Sequence, residues 1–409
     1  MSRIDEMIRP EEWQALEQDV IAWRRYLHAH AELSGHEQKS AAWIAGLLTE
    51  MGIENRIILE SENAVVGTIY GGQAGKGGDK PLTVGLRADF DALPIPEKTG
   101  LPFASQNEGI MHACGHDLHA ALLLGCARIL QAHREELKGN VRLLFQPDEE
   151  NNGGAERMIA AGALKDPDVD YCLGLHVNAG ALPGHIGIKY GSMYAASDGY
   201  EIEFHGLGSH GAKPEAGIDA IMVGAEFLTT VQTVVSRMVS PQEPALFTIG
   251  LIRGGNVSNQ IADYVYMKGI TRTYNPETRL FLRERIRRIA EHTAAMYGAR
   301  AEVRINPSYT MLINDERVAK LVEQSARDVV GDEAVNIETK AQMGCEDFAY
   351  LAQAVPSCFF HLGCMNTTDP NAVNEAHNAC LNPDESCLLP GVKVQVNNVL
   401  ELFHRGKID

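Results

Sequence analysis

Residues 109–120, GIMHACGHDLHA, set Cys114 among His112, His116 and His119 and add Asp117. Cys114 and His116 are two apart. On a helix they would point to different faces, whereas in an extended loop they lie on one side and can reach a single ion. A thiolate with an imidazole suits zinc or a similar transition metal. A thiol nucleophile activated by His112 or His116 is a rival reading, and a helix start with incidental histidines is a third. The segment alone does not decide between them.

A second segment, FQPDEE at 145–150, places Asp148, Glu149 and Glu150 at the end of an apolar strand. Burying three carboxylates is costly unless a cation compensates them. Alternating side-chain direction would let Glu150 face a metal while Glu149 reaches a water; a solvated turn is the bland alternative. His176 ends the apolar strand YCLGLHV, and His377 lies in NEAHNAC. Singly, each reads as a structural histidine. Together with Cys114, His116 and Glu150 they make five S, N and O donors, enough for two metals sharing a bridging ligand.

The elements that must position these groups alternate. Leu16, Val20, Trp23 and Leu27 mark an amphipathic helix, a second helix covers about 40–51, and an apolar helix runs from about 118 to 130. NAVVGTIYG, PLTVGLRADFDALP and VRLLFQ read as strands. Such alternation predicts an α/β layer architecture with its site at strand carboxyl ends, where the acidic residues of 87–91 and 148–150 fall. The glycine-rich 71–80 segment has a Gly-Lys pair, but Gly77 stands where a phosphate loop needs Ser or Thr, so it reads as a solvated hairpin tip. Between about 190 and 306 the order becomes βαββαβ, a ferredoxin-like unit. The expected organisation is a discontinuous catalytic domain, 1–190 and 307–409, with an insert at 191–306.

The whole chain bounds these readings. With 409 residues, 45% hydrophobic and 22% charged, it is long enough for two packed domains. The 54 acidic against 36 basic residues give a formal charge of −18, which repels phosphate backbones and excludes nucleic acid as a partner. The sequence has neither a leader-like start nor a run of 18 apolar residues, and its 8 cysteines form no CxxC pair. A cytoplasmic protein with reduced thiols and no membrane partner is expected.

The ordered set RADFDALP, GIMHACGHDLH, FQPDEE, GLHV, GSHGAKP, MGCEDFAY and EAHNA resembles the metal-dependent amidohydrolases that include hippurate hydrolases, bacterial aminoacylases and plant auxin-conjugate hydrolases. The resemblance spans nearly the whole chain. It implies a zinc-peptidase-like catalytic domain, an inserted dimerisation or lid domain, and a homodimer or higher homo-oligomer. It implies two divalent ions (Zn, Mn, Co or Ni) on Cys114, His116, Glu150, His176 and His377, the cysteine bridging. Glu149 would be the general base and Asp89 a carboxylate that orients a ligand, while His112 and His119 stay outside the metal set. His210 would cross a dimer interface to the substrate carbonyl, with Asn259 and Arg272 near the substrate. Arg272 suits a carboxylate, although from sequence alone it is equally a strand-surface charge.

The implied reaction is hydrolysis of the amide of an N-acyl amino acid by a metal-activated water with Glu149 as base. A metallo-exopeptidase acting on dipeptides, a cysteine-nucleophile amidase and a non-catalytic metal-binding module are the alternatives. Phe90, Asp148, Ile270, Cys345, Ala31 and Ala379 depart from the common pattern, but none removes an implied ligand or the base.

Overall fold

The computed structural model describes residues 2–59, 63–76 and 80–408. They form two compact units: one of 1–191, 313–340 and 347–409, the other of 192–312 and 341–346. Segments 307–312 and 341–346 therefore belong to the second unit, not to the outer domain where the sequence boundaries put them.

The first unit is built on an eight-stranded mixed sheet. Its centre is parallel: Thr83–Asp89 pairs with Asn140–Gln146 and Tyr171–Asn178, and the latter pairs with Ser357–Gly363. Thr83–Asp89, Asn140–Gln146 and Ser357–Gly363 are buried along their length, as strands covered on both faces must be. Glu54–Ile58 and Ala64–Ile69 extend the sheet antiparallel on one side. Because Ala64–Ile69 and Thr83–Asp89 flank Asn140–Gln146 instead of pairing with each other, the 71–80 segment is a crossover and not a hairpin tip. Its residues 77–79 lie outside the described residues. Gly72 and Gln73 donate their amides to the carbonyls of Arg134 and Leu137.

The helix His116–Ala132 is apolar on nearly every side because it lies between the sheet and the helices Pro10–Ala29 and Leu388–Arg405. A Cβ on its Gly125 would stand 2.8 Å from Val392 and 2.9 Å from Val20, so glycine is what lets the three helices approach. Asp117 locks the helix start to Pro10–Ala29. Its fully buried Oδ2 lies 2.8 Å from Arg24 Nε and 2.8 Å from His28 Nδ1. Burial opposes that charge, but Arg24 and His28 outweigh it and hold the carboxyl far below the ordinary range.

The second unit has the chain order Ala196–His205, Ala220–Thr233, Ala245–Gly254, Tyr264–Thr273, Pro276–Met296, Arg300–Pro307, strand and helix alternating as βαββαβ. Its strands are antiparallel, with the fourth beside the first, then the third, then the second at the edge. Tyr200, Ile202, Phe204, Phe227, Leu282 and Ile286 fill its own core. No helix among the described residues is long and apolar enough to cross a membrane.

Candidate metal centre

The carboxyl ends of the parallel strands deliver the site. Thr83–Asp89 leads to Asp91, Asn140–Gln146 to Glu149 and Glu150, and Tyr171–Asn178 carries His176. Cys114 and His116 arrive differently from the expected extended loop. Gly115, at φ 88°, caps the helix that starts at His116, and this left-handed turn swings thiol and imidazole together. A Cβ at Gly115 would lie 2.6 Å from Val177 Cγ2.

Strand alternation likewise does not aim the two glutamates, because the strand ends at Gln146 and the chain turns with Asp148 at φ 62°. His377 is also left-handed, at φ 62°, its amide bound to the Ala113 carbonyl at 2.7 Å. Two non-glycine residues held in a sparsely populated conformation beside one cluster is the kind of strain that surrounding structure must impose.

Donor atoms of Cys114, His116 and His176 lie within 4.8 Å of one another, as do those of Cys114, Glu150 and His377, and those of His116, Glu149 and Glu150. Cys114 Sγ is 3.4 Å from His176 Nε2, and His377 Nε2 is 3.0 Å from Glu150 Oε1. The five residues singled out as ligands thus converge, with Cys114 common to two sets and Glu149 against a third.

The ring orientations fit a cation. His176 Nδ1 donates to the Val177 carbonyl at 2.7 Å, so Nε2 is the free lone pair and faces the thiol. His116 Nδ1 donates to Asp91 Oδ1 at 2.9 Å, and its buried Nε2 has no hydrogen-bond partner. Burial pushes the Cys114 thiol up to about 12, so only a nearby cation would make a thiolate favourable there. Burial also drives His176 well below its ordinary value, which keeps a lone pair available. His377 is raised by its bond to Glu150. A buried, unpartnered imidazole nitrogen among sulfur and carboxylate donors fits divalent metal chemistry.

Asp89 does not do what the sequence suggested. Its Oδ1 accepts from His119 Nδ1 at 2.5 Å and its Oδ2 from Arg87 at 2.7 Å, while His116 Nε2 is 3.9 Å away. Asp89, His116 and His119 make another close set, but His119 Nε2 is taken by the Val177 amide at 2.9 Å. The carboxylate on His116 is Asp91, which also accepts Ser34 Oγ at 2.6 Å and the Glu150 amide at 2.9 Å. Asp91 was visible in RADFDALP, but nothing in the spacing says which aspartate meets which imidazole. Asp347 of MGCEDFAY was missed as well. It accepts from Arg87 and Gln146 and from the Gly154 and Ala155 amides, fixing the far end of the glutamate loop. His112 is buried with neither ring nitrogen bonded, and burial pulls it down to about 4.

The other three candidates are in the second unit. His210 and Asn259 are brought together by pairing of Ser209–His210 with Gln260–Ile261, and both are exposed. Arg272 stands on the strand Tyr264–Thr273, its guanidinium 2.7 Å from Cys345 Sγ.

A parallel-centred α/β unit that gathers cysteine, histidine and glutamate donors beside a further glutamate, Glu149, defines a metal-dependent hydrolase. Residues 85–401 match the family described as Peptidase family M20/M25/M40, and the chain belongs to it. It is 36% identical over 386 residues to an N-acetyl-L-cysteine deacetylase of Bacillus subtilis, covering 94% of this chain and 88% of that one. It is 40% identical over 297 residues to an N-acyl-L-amino acid amidohydrolase of Geobacillus stearothermophilus, covering 72% and 78%. A crystal structure of a dinuclear metal-binding peptidase of the M20 family from Bacillus subtilis superposes with a TM-score of 0.80 at 32% identity, covering 96% and 99%.

Proposed function

We propose that the chain hydrolyses the amide bond of N-acyl amino acids. The observation that carries this reading is the convergence of Cys114, His116, Glu150, His176 and His377 with Glu149 standing beside them. Two divalent cations on those five residues, zinc, manganese, cobalt or nickel, would supply the Lewis acidity that lowers a water's pKa and polarises the amide carbonyl. Glu149 takes the proton of the attacking water and returns it to the leaving nitrogen. Asp91 holds His116 in the tautomer that keeps Nε2 free.

The βαββαβ unit, whose strand order is that of a ferredoxin-like fold, is read as the dimerisation or lid domain. Its edge strand Ala245–Gly254 bears Ile252, 54% exposed, with Val257, Ile221 and Met222 also exposed, which suits pairing with a second copy. A second copy, or the substrate, is what the exposed His210 and Asn259 need as a partner. His210 is assigned to the carbonyl oxygen and Arg272 to the substrate's carboxylate, with Asn259 near the substrate. Eight unpaired cysteines fit a reducing, cytoplasmic setting.

The test is a panel of N-acetyl amino acids, N-benzoylglycine and unblocked dipeptides, each with and without chelator. Chelator-sensitive release of amine from the N-acyl compounds, faster than from dipeptides, is expected. Preference for dipeptides would make the enzyme an exopeptidase, and turnover insensitive to chelator with a trapped acyl-enzyme would make Cys114 the nucleophile.

A further inference from the structure

The two amides that flank Glu149 are both tied to carboxylates from distant segments. Glu150 N–H donates to Asp91, as described; Asp148 N–H donates to Glu37 Oε1 at 2.9 Å. Glu37 has 0% exposure and stands just before the helix Gln38–Glu50. Its Oε1 also accepts the Gly35 amide at 2.7 Å, and its Oε2 accepts Asn63 Nδ2 at 2.7 Å. Three donors converge on one side chain, and only a carboxylate offers acceptors alone.

A buried carboxylate and a left-handed Asp148 are both costly, and each is more than a simple helix start requires. Glu37 makes the two compatible. By holding the Asp148 amide it fixes the turn from which the next side chain, Glu149, projects. We propose that Glu37 is a positioning residue for Glu149, acting through the backbone of Asp148 without touching substrate or metal. The inference rests on the reading of Glu149 as the general base.

Glu37→Gln leaves one oxygen for three donors, so either the Asn63 amide or the two backbone amides face an NH2 group. Adding Asn63→Asp restores complementarity with the polarity reversed, the side-chain amide introduced at position 37 now donating to the carboxylate introduced at position 63. Kinetics on an N-acetyl amino acid, metal content by mass spectrometry and amide exchange of the segment containing Asp148 are compared for wild type, E37Q, E37A, E37Q/N63D and E149Q. In E37Q and E37A, kcat is expected to fall about 10- to 100-fold, the effect of an ångström-scale misplacement, with KM and metal content unchanged. The Asp148 amide should exchange faster in both, with and without chelator, and E37Q/N63D should recover kcat and protection. If E37Q and E37A turn over within two-fold of wild type while E149Q is inactive, the positioning role is wrong. If metal content falls in step with kcat, Glu37 is a structural support and the proposal also fails. An active E149Q would instead overturn the assignment of the base.

Discussion

Asp91→Asn separates the two aspartates of RADFDALP. Asp91 serves three donors with two oxygens: His116 Nδ1, Ser34 Oγ and the Glu150 amide. Asparagine keeps the shape but has one oxygen. If that oxygen faces His116, the NH2 group meets the Glu150 amide and leaves it unsatisfied, at roughly 1–3 kcal/mol. If it faces Glu150, the NH2 group meets His116 Nδ1, whose proton must move to Nε2 and close the atom aimed at the cluster. Either arrangement should weaken metal binding about 10- to 100-fold, the usual consequence of losing an outer carboxylate. Competition against a chromogenic chelator reads this directly. Asp89→Asn should behave differently, since its partners are Arg87 and His119: it should lower the unfolding midpoint while leaving metal affinity within a few-fold. Wild-type affinity in D91N, or a larger metal defect in D89N than in D91N, would refute the assignment.

Cys114→Ser should yield a folded protein depleted in metal by mass spectrometry, because the hydroxyl is a far poorer ligand than a thiolate. Asp117→Asn should lower stability by about 1–3 kcal/mol in urea unfolding, since it removes the buried charge that Arg24 Nε and His28 share and leaves Arg24 with its Glu385 ion pair. The Glu37 carboxyl is raised from 4.5 to about 7, chiefly by burial and then by Asp91. Its folded pKa exceeds its unfolded one, so its contribution is fully present below pH 4.5 and is lost as pH rises through 7. In chelated protein, wild type should lose about 3 kcal/mol relative to E37Q between pH 4.5 and 8. A difference that stays flat across that range contradicts it.

Much of this was legible in the sequence. The αβ alternation and the βαββαβ order followed from periodicity, since helices and strands here bury continuous or alternating apolar faces. The five convergent donors stood in short motifs, most of them at or just beyond the ends of elements, with His377 in the segment between Ser357–Gly363 and Leu388–Arg405. What was not legible depended on pairing across the fold. Whether Asp89 or Asp91 reaches His116 is set by where Thr83–Asp89 ends against the helix at Gly115. The device that aims Glu149 and Glu150 was not legible, because alternation ends at Gln146 and gives way to a turn whose left-handed residue is an aspartate, not the glycine that would have signalled it. Glu37 and Asp347 act through backbone amides, and a backbone contact leaves no trace in the motif it supports. The placement of 341–346 in the second unit, while Asp347 next to it organises the first, also has no compositional mark.

The glutamate loop is anchored by Glu37, Asp91 and Asp347, and the cluster of donor atoms takes in His377, about 200 residues after His176. No short fragment of the chain contains all of these residues. A folding intermediate with only the segments before residue 191 in place would hold Cys114, His116, Glu150 and His176, with Glu37 and Asp91, but neither the fifth donor nor the Asp347 anchor, so it is expected to bind metal more weakly than the complete unit. On the proposed ligand set, tight metal capture would report on long-range completion of the first unit, and bound metal would stabilise the complete unit over partly formed ones.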